Sequence, residues 1–464
     1  MTRTPVRRLV LRLALPTIVS MVVTALYNVV DAAFVGHLST EATAGIGISF
    51  AYMTFIQAVG FFFGHGSGNH ISRALGARQF SDATEMASTG FFTPLIIGTV
   101  AAVLGIVWLE PLAVLLGATP GVVQSACDYM RFIVIASPLM MSALTLNNQL
   151  RLQGSARLAM LGIASGALLN IVLDPIFIFA MDMGVTGASL ATAMSQTVAW
   201  LILLGGTMRE GSVHISFAAF RPTLANYYEI LRGGLPSLCR QTFNCVAAVF
   251  LNHAAVRWAA PGSEAAAVAA FAVVTRVMMF AFSIVLGFCQ GFQPVSGFNY
   301  GARLYMRVRQ AYHFALTVST AFLIVISVVG FVFAPDIIRL FRSEDAEMLA
   351  IGVAALRWQC VTFPLVGLST TTNMLFQNIR MTFKSTLISI GRQGLFFIPA
   401  VLLLPRVLGL TGVVLSQPVA DACTFLLAVP YAVWISRKLS RMDEDQSPPG
   451  SSRGSSERIA DEMA

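Results

Sequence analysis

The sequence predicts an all-α polytopic membrane protein, with twelve transmembrane helices in two pseudo-two-fold-related six-helix bundles. Three observations predict it. Of 464 residues, 56% are hydrophobic and 11% charged, where soluble domains carry about 25% charged residues. With a mean hydropathy of +0.74, such a chain cannot hide its apolar surface in water. Arginine-rich segments also alternate along the chain with segments that hold almost no basic residue. Finally, the second half repeats the first.

Apolar runs fall at 9–36, 45–72, 86–109, 124–150, 157–181, 186–208, 233–257, 265–293, 308–333, 349–378, 384–405 and 410–436. Each can supply the roughly 20 residues that a bilayer core demands of a helix. They are long and lack the alternation of a barrel strand, so we number them spans 1 to 12. The start, basic and then apolar, resembles a signal peptide. Its apolar run continues past Val30, too far for such a segment, and is taken as span 1.

With the N-terminus in the cytoplasm, the inner segments collect Arg3, Arg7, Arg8 and Arg12, then Arg73 and Arg78, then Arg151 and Arg157. They continue with Arg209, Arg221 and Arg232, with Arg303, Arg307 and Arg309, with Arg380 and Lys384, and with Arg437, Lys438 and Arg441. The outer loops hold only Arg257, Arg339, Arg342 and Arg406. This is the positive-inside bias, and it predicts an even number of spans with both termini cytoplasmic. It also accounts for the net charge of +8 without a nucleic-acid partner.

The repeat pairs LRLALP (11–16) with LRGGLP (231–236), LGAR (75–78) with YGAR (300–303), and GVTGASL (184–190) with GLTGVVL (409–415). MRFIVIASPLM (130–140) likewise pairs with LRWQCVTFPLV (356–366), and the offset stays between 220 and 226 residues. Six spans per repeat keep both halves in one orientation, as in parallel-repeat transporters. The expected domains are a bundle at 1–208, a cytoplasmic linker at 209–232, a second bundle at 233–438 and a disordered tail at 439–464.

Charges inside the spans carry the functional reading. An aspartate at a helix centre costs about 2.5–3.5 kcal/mol on insertion scales. Asp31 falls ~8 Å below the outer end of span 1, Asp174 ~10 Å below that of span 5, and Thr192 ~9 Å below that of span 6. Tyr27 and Asn170 each lie one turn before an aspartate and face it. Pro175 leaves the Ile171 carbonyl without its usual donor. Two nearby carboxylates in a low dielectric do not both ionise cheaply. The set therefore suits uptake and release of H⁺, or of Na⁺ with the neighbouring oxygens. The plainer reading is a polar knot that joins spans 1, 5 and 6.

The second half places Arg276, Arg392 and Asp421 near mid-membrane, with Arg240 nearer the inner end of span 7. Asp421 is expected to pair with Arg392 or Arg276. These residues, with Gln241, Gln290, Gln293 and Phe288, are the candidates for a wet substrate cavity. Aromatic rings there would suit flat organic cations.

His37, His65 and His70 have no metal-ligand spacing, and no metal is assigned. The six cysteines are scattered through apolar segments without a CxxC pair, which suits small core residues. No GxxxxGK[ST] motif occurs, so nucleotide hydrolysis is not the expected energy source, and no enzyme activity is expected.

Several segments resemble the multidrug and toxic compound extrusion (MATE) family of the MOP flippase superfamily. They are LALP and YNVVDAAFVGHLS within 13–39, SRALGAR (72–78), NIVLDPIFIF (170–179), GVTGAS (184–189) and GFCQGFQPVSGFNYGAR (287–303). The resemblance covers about residues 8–438. It implies a V-shaped pair of bundles around a central cavity, driven by a proton or sodium gradient. It also implies a cation site at Asp31 and Asp174, with Tyr27, Asn170 and Thr192 nearby. Some members carry a glutamate in span 7, where this chain has Arg240 and Gln241, so coupling through the first half is favoured.

The expected function is a secondary antiporter exporting amphipathic, mainly cationic, compounds in exchange for H⁺ or Na⁺. No cofactor beyond the coupling ion is expected, and the protein is expected to act as a monomer in a bacterial cytoplasmic membrane. The alternative is a flippase for an anionic lipid-linked saccharide, which the mid-membrane arginines favour. A receptor or channel fits the full-bundle repeat less well.

Overall fold

The computed structural model describes residues 1–36, 40–208, 213–341 and 346–445. The side chains at 28, 29, 31–33, 35, 36 and 40–43 lie outside the described set. So do Arg209, Arg342, His37 and the tail from 446 onward.

Every expected span is helical. Spans 1 to 4 are Val6–Gly36, Thr40–Gly76, Phe80–Val107 and Val123–Leu152. Span 5 is Ala156–Pro175 continued by a π turn at Ile176–Ala180, and span 6 is Gly184–Thr207. Spans 7 to 9 are Leu224–Trp258, Glu264–Gly301 and Tyr305–Val332. Span 10 is the pair Ala346–Thr362 and Leu365–Asn378, bent by 56° at Pro364, which cannot continue the hydrogen-bond ladder. Span 11 runs Thr382–Ile390, a π turn at Gly391–Leu395, and Phe397–Leu408; span 12 is Leu410–Glu444.

Among the described residues, ten helices are long and apolar enough to cross a membrane, or eleven if the bent pair is one span. The twelfth, span 7, has the length at 35 residues. It carries Glu229, Arg232, Arg240 and Arg257, which lower its hydropathy. Two boundaries differ from expectation. Span 7 begins at Leu224, inside the expected linker, because the Thr223 hydroxyl accepts the Asn226 N–H and starts the helix there. Span 12 continues to Glu444, into the expected tail.

The backbone carries the repeat as plainly as the sequence does. Arg78 and Arg303 leave spans 2 and 8 with φ of 61° and 57°. Gly154 and Arg380 do the same after spans 4 and 10, and Gly184 and Gly409 open spans 6 and 12. Left-handed conformations are rare for arginine, so the matched pairs mark the same turn built twice.

The N-terminal segment, the ends of spans 2 and 8 and the end of span 12 share one face, the terminal face. There the Arg307 guanidinium donates to the Thr4 carbonyl at 2.5 Å and to the Met1 carbonyl at 3.4 Å. The Met306 N–H donates to Asp443 at 3.2 Å. One apolar cluster at this face joins the first half of span 1 to spans 8, 9, 10 and 12. Toward the opposite face each bundle has its own cluster, around Tyr129 and Ile133 in the first and around Phe271 and Phe397 in the second. The bundles therefore meet at the terminal face and build separate cores away from it.

Glycines set that seam. A Cβ on Gly291 of span 8 would overlap the Ala14 backbone of span 1, and one on Gly234 of span 7 would overlap the Phe62 carbonyl of span 2. Small residues at such crossings let backbones approach closely. An ionic cluster closes the same face. Glu229 of span 7 lies 3.6 Å from Arg73 and 3.5 Å from His70, both of span 2, and it also pairs with Arg380. His70 bonds Asp82 of span 3 at 2.8 Å.

Gly291→Val tests the seam. Overpacking of this kind costs about 1–3 kcal/mol. We expect roughly tenfold faster hydrogen exchange in residues 10–18 and 287–301, with spans 5 and 6 unchanged. Unchanged exchange in all four segments would show that the crossing is not tight.

Candidate functional site

Span 5 presents a stripe of small residues to span 6 and then two polar ones. A Cβ on Gly162 would meet Leu203, one on Gly166 would meet Ala199 and Ser195, and one on Gly187 would meet Phe177. This antiparallel register puts Thr192 of span 6 level with Asn170 and Asp174 of span 5. Asn170, Asp174 and Thr192 are all buried, Asp174 completely. The Asn170 amide donates to Asp174 Oδ2 at 2.6 Å, the i to i+4 pairing expected of a helix face. Immediately after Asp174, Pro175 ends the α-helix and the chain widens into the π turn. π turns recur at functional sites because they loosen the ladder locally. The hydroxyls of Thr192 and of Ser195, one turn on, are buried without a hydrogen-bond partner among the described residues.

Span 1 packs along span 5 and buries Tyr27. Asp31 follows Tyr27 by four residues on the same helix, and its side chain lies outside the described set. The structure thus brings Asn170, Asp174 and Thr192 together, with the Tyr27 helix beside them. Among the described residues no three His, Cys, Asp or Glu side chains cluster as metal ligands.

The corresponding region of the second bundle is built differently. Arg392 sits in the π turn of span 11, and its Nε donates to Asp421 Oδ1 of span 12 at 2.8 Å. Gln417 donates to the same oxygen at 2.8 Å. The guanidinium also stacks 5.0 Å from the Phe282 ring centroid of span 8. Asp421 is almost fully buried, while Arg392 keeps 23% of its side chain exposed. Of the two partners expected for Asp421, the structure selects Arg392. Arg276 is exposed and has no carboxylate within ion-pair distance among the described residues.

The other expected cavity residues converge on a side chain that the sequence reading counted only as an inner-face charge. Arg151, at the end of span 4, is 2% exposed and reaches across to the second bundle. Its Nη1 donates to the Gln290 carbonyl at 2.8 Å and to Gln293 Oε1 at 2.9 Å. Its Nη2 donates to Asn148 at 2.6 Å and to His65 Nε2 at 3.3 Å. His65 Nδ1 faces the Phe61 carbonyl at 3.2 Å, an arrangement that assigns the neutral Nδ1–H tautomer. The Gln293 amide donates to Gln377 at 3.4 Å, and Gln377 donates to the Gly233 carbonyl and to Ser237. Gln241 of span 7 bridges to Gln57 of span 2 at 3.0 Å. Arg240, half-buried, lies within Coulombic reach of both His65 and Arg151. Phe288 is a member of the terminal-face apolar cluster.

Sequence reading missed Arg151, His65 and Glu229. The amide-rich run NNQLRLQG (147–154) was a usable signal, since it sets four amides around one arginine at a helix end, and one of them, Asn148, accepts from the buried guanidinium.

The MatE family pattern matches residues 16–176 and 243–402, once in each bundle. The multidrug export protein MepA of Staphylococcus saprophyticus is 25% identical over 418 residues, covering 90% of this chain and 91% of that one. A MATE-family multidrug resistance transporter of the MOP superfamily, solved in an outward-facing conformation, superposes with a TM-score of 0.87. It is 29% identical, covering 95% of this chain and 98% of that one. A MOP-superfamily transporter of Pyrococcus furiosus, described with a reversed binding-pocket polarity that suggests a different function, gives 0.87 at 28% identity, with 95% and 97% covered. With its pattern matched in both halves and the twelve-helix, two-bundle architecture in place, the chain belongs to the MatE family of membrane transporters.

Proposed function

We propose that the protein is a secondary antiporter that exports amphipathic organic cations in exchange for H⁺ or Na⁺. One observation carries the reading. A completely buried carboxylate, Asp174, stands beside a loosened helix turn, level with two buried hydroxyls, next to the helix that carries Asp31. Burying a charge is costly, and a group that changes its protonation or ion occupancy in each cycle has a reason to be kept there. The activity named for the staphylococcal relative supports the same reading.

The terminal face is taken as cytoplasmic on the distribution of arginine, so closure there corresponds to an outward-facing state. In that state the ion loads at Asp31 and Asp174. Neutralising the pair alters the packing of span 1 on span 5 and lowers the affinity for substrate, which leaves outward. The inward-facing, ion-free state takes the next substrate. Coupling requires only that ion and substrate favour opposite states.

A second reading, export of an anionic amphiphile, is favoured by the guanidinium groups of Arg151 and Arg240 beside His65. No carboxylate pairs with either arginine among the described residues. The reversed pocket polarity of the Pyrococcus relative lends it weight.

Purified protein in liposomes, with ethidium as cargo and pH and sodium gradients imposed separately, tests both readings. We expect transport under one gradient, and at least a tenfold loss in Asp31→Asn and in Asp174→Asn with folding retained. Wild-type rates in both variants would make the pair structural. Failure of wild type to move ethidium, with an anionic amphiphile moved instead, would favour the second reading.

The Arg392–Asp421 pair has its own test. Removing one partner of a buried pair costs about 3–5 kcal/mol, which we discount to ~2 kcal/mol for the exposed part of Arg392. Arg392→Gln is expected to lower the melting temperature, and Arg392→Gln/Asp421→Asn to recover most of the loss. A structural pair predicts that the double variant transports normally, and a substrate contact predicts a raised KM.

A further inference from the structure

We propose that the cleft between spans 7, 11 and 12 at the terminal face binds the headgroup of an anionic phospholipid. The cleft has a volume of about 390 Å³ and is lined by Arg232, Arg380, Lys384, Phe383 and Trp434, among others. Its charges are poorly balanced. Lys384 Nζ lies 3.0 Å from the centroid of the Trp434 ring, and Lys438 Nζ lies 5.0 Å from the same centroid. Two ammonium groups thus share one indole, and neither has a carboxylate within ion-pair distance among the described residues. Arg232 and Arg380 both lean on Glu229, which is already engaged by Arg73 and His70. An anion entering here meets four cations and one carboxylate already shared.

The rim decides which anion. Phe383 is 77% exposed and Trp434 38% exposed beside these cations. Arg232 stacks its guanidinium 4.3 Å from the ring centroid of Tyr228, itself half exposed. Aromatic rings adjoining basic side chains at a helix end are the composition of a membrane interface. Basic pockets between spans at that level suit anionic headgroups. Inorganic phosphate would satisfy the lysines and leave the exposed Phe383 ring in water. A phospholipid places its phosphate at Lys384 and Lys438 and its acyl chains over the rings. A choline headgroup would set a third cation against the two lysines, so the site favours net-negative lipids.

The test uses the full-length protein, delipidated in detergent and titrated with equimolar phosphatidylglycerol and phosphatidylcholine, with bound lipid counted by native mass spectrometry. Wild type is expected to retain phosphatidylglycerol about tenfold over phosphatidylcholine. Lys384→Gln/Lys438→Gln should lose that preference, and Lys384→Arg/Lys438→Arg should keep it. Arg7→Gln/Arg8→Gln, which removes two exposed charges from the same face, should also keep it. Phe383→Ala should weaken retention severalfold without abolishing the preference. If the double glutamine variant does not stay monodisperse, the single variants are read, each expected to lose several-fold. Unchanged retention in the lysine variants, or equal loss in Arg7→Gln/Arg8→Gln, would overturn the site. Displacement of phosphatidylglycerol by millimolar inorganic phosphate would overturn its assignment to lipid.

Discussion

Inside a bilayer a charge has no water to fall back on, so each one must find its compensation within the chain or beside it. The molecule meets this demand in several distinct ways. Asp174 is met by the Asn170 amide and lies among buried hydroxyls. Asp421 is met by a guanidinium and a second amide. Arg151 is met by four uncharged acceptors drawn from both bundles. These solutions are not interchangeable. Amides and hydroxyls leave a carboxylate able to change its proton or ion at modest cost. A salt bridge fixes both partners, since parting them leaves a buried charge exposed to the low dielectric.

The repeat sharpens this contrast. Spans 5 and 11 occupy corresponding places, and both loosen into a five-residue π turn. In the first bundle the turn follows a carboxylate; in the second it contains Arg392. The backbone device is thus conserved between halves while its electrostatics are inverted. Fold symmetry does not entail functional symmetry: in the first half an amide donates to the buried carboxylate, the arrangement on which the proposed ion exchange rests. The other half holds its carboxylate in an ion pair with Arg392.

How much of this was legible in the chain depends on the range of the interaction concerned. Span positions follow from local composition, and the repeat from direct comparison, so both were readable. The Asn170–Asp174 bond was readable too, because partners four residues apart on one helix must face each other. Thr192 was placed by depth, since helical rise converts position into height. The choice of Arg392 over Arg276 for Asp421 was not readable, because it turns on helix rotation, which height does not reveal. Arg151 escaped for a related reason. A basic residue at a span end satisfies the positive-inside pattern whether it points to water or into the protein. Only the packing of span 4 against span 8 makes it a buried cation. Glu229 stood alone among arginines, and apart from Arg232 one turn on, its partners come from segments far apart in sequence.

The terminal face draws these threads into one mechanical argument. The glycine crossings make the seam close, and close packing is two-state: a gap of an ångström forfeits much of its dispersion energy. The polar part of the seam behaves in the same way. Opening this face separates Glu229 from Arg73 and His70 on the other bundle, and it pulls Gln290 and Gln293 away from Arg151. A buried guanidinium stripped of acceptors would be costly unless water or a ligand enters as the bundles part. Closure is therefore stabilised most while the seam is dry, and opening is stabilised by whatever can replace the lost acceptors. Alternating access needs such a bistable element, biased by occupancy at a separate site. For the proposed antiporter the seam between spans 1, 2, 4, 7 and 8 would supply the element, with the carboxylate between spans 5 and 6 lying apart from it. Span 1 connects them, since its first half packs in the seam against span 8 and its second half runs along span 5. A change of charge beside the outer half of span 1 thus bears on a helix whose inner half holds the face shut.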